Sequence, residues 1–120
     1  MRTQYTLKVY PTGLGRSVYR TITICGTDTL DQLCMAILSA FDFTAEHLYE
    51  FCMDNRPYSN NAYTIDREAD YPEINIVIDT MELYEKQKFS LHYDFGDDWM
   101  FTITVSKIVE VQKDFKPRIA

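Results

Sequence analysis

The segment FSLHYDFGDDWMFTITV, residues 89–105, sets one histidine and three aspartates at and beside a turn. On an extended strand His92 and Asp94 share one face about 7 Å apart. With Asp97 or Asp98 curled back from the turn, they form an imidazole and carboxylate set. Those are the donors of a divalent-cation site or of a general acid–base pair. His47 would join His92 if its strand lay alongside. The competing role is structural, because aspartates next to glycine bond nearby backbone amides and build turns. The structural role is preferred for Tyr93, Asp94, Phe95, Gly96, Trp99 and His47. His92 and Asp94 act as metal ligands only in the alternative. Arg20 is expected to pair with a carboxylate, such as one of the hairpin aspartates, in a partly buried ion pair.

No other nucleophile or phosphate-binding pattern meets its spacing. GLGRSV, residues 13–18, has Val18 at the third glycine position of a dinucleotide fingerprint and runs into a strand. Cys25, Cys34 and Cys52 are odd in number and match neither Cys-x-x-Cys nor a zinc spacing. No cofactor is implied.

These residues need elements to hold them. Tyr5, Leu7 and Val9 alternate with polar residues up to the turn-rich PTGLG, and Val18, Arg20, Ile22 and Ile24 alternate after it, so the two runs predict a hairpin. Thr29 and Gln32 make a capping box. Leu30, Leu33, Cys34, Ile37, Leu38 and Phe41 then form one helical stripe that packs on a sheet. A third strand is expected near residues 47–53, a long polar loop from Tyr58 to Pro72, a short buried run at INIVI, and a brief helix capped by Asp79 and Glu82 through about Lys86. Phe89, Leu91, Tyr93 and Phe95 oppose Ser90, His92 and Asp94, and Trp99, Phe101, Ile103 and Val105 repeat the alternation. Gly96 is expected to supply the positive φ of the tight turn. The order is that of an α+β fold: a mainly antiparallel sheet with one main helix on one face and a second short helix.

At 120 residues and 46% hydrophobic content, residues 1–120 are read as one domain with one core. No apolar run approaches the roughly 20 residues of a bilayer crossing, and the first ten residues do not resemble a secretion signal, so a soluble protein of the reducing cytoplasm is expected. Net charge is −6, and Asp66–Asp98 alone carries ten acidic residues against Arg67, Lys86 and Lys88. A duplex-binding protein displaces counterions with a cationic surface, which disfavours direct nucleic-acid binding here.

YDFGDDW at 93–99 resembles the hallmark of the Ri-plasmid ORF-three-like family, small proteins of plasmids and other mobile elements with no established general activity. VYRTITI at 18–24, TLDQL at 29–33 and HLYEF at 47–51 are similar to further stretches of that family, with Tyr19 and Phe43 where tryptophans are usual. The similarity covers about residues 4–108. The family commonly continues into a segment rich in Cys, Pro, Glu, Asp and Gly, whereas FKPRIA closes this sequence. The resemblance therefore implies the family's fold more than any activity of that segment.

The expected function is a non-enzymatic interaction module of a plasmid, phage or transposon system. Tyr58, Tyr63 and Tyr71 of the polar loop supply contact area at low entropy cost, and Asp97 and Asp98 supply charge. The partner is another protein, and a nucleic-acid-binding one with a basic groove would suit an acidic inhibitor. The rival is a metal-dependent hydrolase using the His and Asp cluster of the 89–105 hairpin.

Overall fold

A computed structural model describes residues 1–12, 18–44, 49–55, 62–65, 76–94 and 96–119. In chain order the elements are β1 (Arg2–Pro11), β2 (Arg20–Cys25), α1 (Leu30–Ala40), β3 (Tyr49–Cys52), β4 (Ala62–Ile65), a 3-10 turn (Ile78–Met81), β5 (Lys88–Tyr93), β6 (Trp99–Val111) and β7 (Arg118–Ile119). The seven strands make one sheet in the order β4-β3-β5-β6-β1-β2-β7, with every pairing antiparallel. With α1 on one face, this is the α+β architecture that the alternation predicts.

α1 begins where the capping box stands. The Thr29 amide donates to Gln32 Oε1 at 2.8 Å, and Thr29 Oγ1 accepts from the Gln32 amide at 3.3 Å. The helical stripe is buried through Leu30, Leu33, Cys34, Ile37 and Leu38, and the helix stops at Phe41, its C-cap. Its counterpart is the sheet face of Leu7, Val9, Ile22, Ile24, Phe89, Leu91, Phe101, Ile103 and Val105, all fully buried. Burying each such side chain contributes about 1.5–3 kcal/mol. This core holds the strand register, and register positions the site.

Three expectations are corrected. Part of the Tyr58–Pro72 stretch is not loop: Ala62–Ile65 forms β4, paired to β3 with Tyr63 opposite Phe51. An edge strand needs only a partner's backbone groups, so its own sequence shows little periodicity. The brief helix through Lys86 is only the 3-10 turn, whose N-cap, Val77, makes no side-chain cap bond. Asp79 does not cap it because its carboxylate accepts the Tyr5 hydroxyl at 2.8 Å, and Glu82 ends the turn with a left-handed backbone, φ 56°. The last strand runs past Val105 to Val111, because β1 pairs with its second half after an irregularity in register at Thr6/Leu7.

Among the described residues no helix is long and apolar enough to cross a membrane. The three cysteines are buried, and no disulfide joins them.

Candidate functional site: a carboxylate-clamped histidine at a hairpin corner

β5 and β6 pair as far as Tyr93 opposite Trp99, leaving residues 94–98 as the connection. Asp94 lies just past the strand and not in it. The left-handed backbone falls on Asp94 (φ 61°) and Asp98 (φ 53°), not on Gly96. Aspartate tolerates that region when its side chain bonds local amides. Asp94 Oδ1 accepts from the amides of Gly96 at 3.2 Å and Asp97 at 3.4 Å, and the Asp98 amide donates to the Asp94 carbonyl at 2.6 Å. Asp94 is thus the turn's scaffold. Tyr93 is buried and its hydroxyl donates to the Thr44 carbonyl. Trp99 is 41% exposed and stands edge-on to Phe43, ring centroids 4.9 Å apart.

The corner's second feature comes from register. Glu50 of β3 lies directly opposite His92 of β5, so both side chains project on the sheet face away from α1. His92 Nδ1 is 2.6 Å from Glu50 Oε2, and its Nε2 is 2.6 Å from Asp98 Oδ1. His92 and Glu50 are buried, while the Asp98 side chain is half exposed. Each ring nitrogen thus faces one carboxyl group at a short hydrogen-bond distance. Among the described residues no group of three or more His, Cys, Asp or Glu is arranged to hold a metal ion. The cluster clamps the corner to β3.

Other expected residues fall elsewhere. Arg20 does not pair with a hairpin carboxylate: its Nη1 donates to the Tyr19 carbonyl at 2.9 Å, and its guanidinium lies 5.4 Å from the Phe41 ring centroid. An aromatic ring beside the strand gives its cation a partner without a buried ion pair. Asp97 is exposed at the tip. Tyr63, on β4, is partly buried and packs against the core. His47, Tyr58, Tyr71 and Phe95 lie outside the described residues. Glu50 escaped the sequence reading. Its one signal was an acid inside the apolar run YEFC, which a strand buried on both faces tolerates only with a partner.

Titration is shifted at Tyr5, Asp28 and Asp114. Burial pushes the Tyr5 phenol above its usual range, and its bond to Asp79 adds to this. Burial likewise raises Asp28, whose carboxylate accepts from the Cys25 amide at 3.1 Å. Arg2, bonded at 2.5 Å, holds Asp114 below the ordinary carboxylate range.

Comparison with known proteins bears on the family and the fold. A family model described as plasmid pRiA4b ORF-3-like protein matches residues 3–120. The fold is similar to the crystal structure of a protein of unknown function, MM3350 from Methanosarcina mazei Go1, with a TM-score of 0.78 and 26% identity. That match covers 100% of this chain and 68% of the other. No curated protein matches the sequence.

Proposed function

The chain belongs to the plasmid pRiA4b ORF-3-like family, and from that premise we propose a non-enzymatic interaction module whose hairpin corner contacts a cationic surface of another protein. The observation that carries this reading is Trp99, 41% exposed beside the exposed Asp97 and Asp98. An exposed tryptophan held edge-on by Phe43 is a rigid anchor, and the acidic rim around it favours a basic partner. The carboxylate clamp supports a binding role, because it spends both His92 nitrogens on holding the corner in shape. A partner whose basic groove binds nucleic acid, within a plasmid, phage or transposon system, suits that charge.

The test is capture from host lysate, with bound proteins identified, by the wild type and by a folded Asp97→Asn/Trp99→Ala variant. The wild type retains a basic, nucleic-acid-binding protein, capture weakens as salt rises, and the variant loses roughly tenfold or more of it. Equal capture by the variant, or capture indifferent to salt, rejects the reading.

A further inference from the structure

On the sheet face away from α1, a cleft of about 270 Å3 is lined by Lys8, Tyr10, Lys86, Lys88 and Thr104. Register brings the cations together. Lys8 of β1 and Lys88 of β5 each lie directly opposite Thr104 of β6, from its two sides. Neighbouring strands are about 4.8 Å apart, so the two lysine backbones stand about 10 Å apart with a hydroxyl between them. Tyr10, two residues along β1, shares the face of Lys8. Lys86 enters from the turn before β5, where its amide donates to the Val105 carbonyl at 2.7 Å.

Two further observations point to a ligand. Lys86 has a left-handed backbone, φ 72°, a conformation that glycine adopts at lower cost. The three lysines form no ion pair among the described residues, in a chain with 18 acidic side chains. The adjacent acid, Glu85, is turned to the Ile108 amide at 3.0 Å. The Lys8 ammonium lies 4.2 Å from the Tyr19 ring centroid, which orients the charge without neutralising it. Three lysines line one small volume, and an anion seated there gains attraction from each of them.

We propose that this cleft binds the phosphate groups of a small molecule, with Lys8, Lys86 and Lys88 supplying charge and Thr104 and Tyr10 supplying hydroxyl hydrogen bonds. A cleft of about 270 Å3 across the neighbouring strands β1, β6 and β5 suits a compact anion of pyrophosphate size.

The experiment titrates the full chain with pyrophosphate and, separately, with adenosine diphosphate. Amide NMR shifts and melting temperature are followed, with sodium chloride at matched ionic strength as the control. Saturable shifts centred on Lys8, Lys86, Lys88 and Thr104 are expected, with a rise in melting temperature that chloride does not reproduce. Binding of either probe upholds the site, and the tighter of the two tells a free phosphate compound from a nucleotide. Lys86→Gly separates charge from folding, because it removes one cation and relieves the backbone. It keeps or raises the melting temperature and weakens binding roughly fivefold or more. Lys8→Met/Lys88→Met, two changes on the polar face, abolishes binding. No saturation by about 10 mM of either probe, or wild-type affinity in both variants, overturns the proposal.

Discussion

His92 carries more of the corner's stability than its place in a polar alternation suggests. Replacing it with phenylalanine leaves the Glu50 carboxylate buried without its imidazole, and breaking a buried pair by removing one partner costs about 3–5 kcal/mol. Urea unfolding of His92→Phe shows that loss, while Glu50→Leu/His92→Phe, with both polar partners gone, recovers most of it. Asp98→Asn costs about 1 kcal/mol or less, because its side chain is half exposed and screened. A double variant as unstable as the single one shows that the clamp is not what holds the corner. At this scale the sequence singled out His92 and the aspartates, but it gave turn-building to Asp97 and Asp98 and placed Asp94 in the strand, whereas Asp94 is the residue whose carboxylate holds the turn. Of the carboxylates it offered the histidine, Asp98 does curl back to the ring and Asp94 does not. Asp94, two residues away on the alternation, looked like the neighbour, yet its side chain accepts from Gly96 and Asp97. Glu50, 42 residues away, reaches the ring.

Elements were legible where their determinants are local. α1 is announced by a capping box and a stripe, both within a dozen residues, and it forms there. The 3-10 turn was misread because the side chain that would have capped it is engaged by β1. Asp79 rests on Gly26, just past β2: its amide donates to the Gly26 carbonyl at 2.9 Å, and its carboxylate takes the Tyr5 hydroxyl. A Cβ on Gly26 would stand 2.0 Å from Asp79 Oδ1 and 2.4 Å from its Cγ. Gly26→Ala therefore costs about 1–3 kcal/mol by overpacking, and adding Asp79→Ala returns part of it in a double-mutant cycle read by denaturant unfolding. Simple additivity of the two changes removes the contact from the account.

For the whole molecule, the sheet is fastened between its ends in sequence. Asp114, in the link from β6 to β7, accepts from Arg2 of β1 at 2.5 Å and from the Thr27 hydroxyl at 3.3 Å. Its carboxyl is held below the ordinary value of 3.8 by the Arg2 bond first. A depressed native pKa lends stability that is complete above the unfolded value and is lost as pH falls through the native one. The melting temperatures of wild type and Asp114→Asn thus differ at about pH 6, and the gap closes as pH drops well below the usual carboxylate range. A gap that persists in acid assigns the contribution to something other than this charge. The same scale separates the acidic hairpin corner from the lysine cleft. The charge run from Asp66 to Asp98 contains Lys86 and Lys88, and a one-dimensional tally sums them with Glu85, which turns to the Ile108 amide, and with the aspartates of the corner.

The sequence by itself determined the α1 stripe and its cap, the β1–β2 hairpin, the last hairpin's alternation, and through them the α+β class and the family resemblance. All of these rest on contacts within a few residues, or on a period that any partner strand would satisfy. Only the tertiary structure decided which strands stand side by side, and with that the pairing of Glu50 with His92, the strand at Ala62–Ile65, and the meeting of Lys8 with Lys88 across Thr104. Register between strands distant in sequence is set by the packing of one shared core, and no short window of residues contains that core.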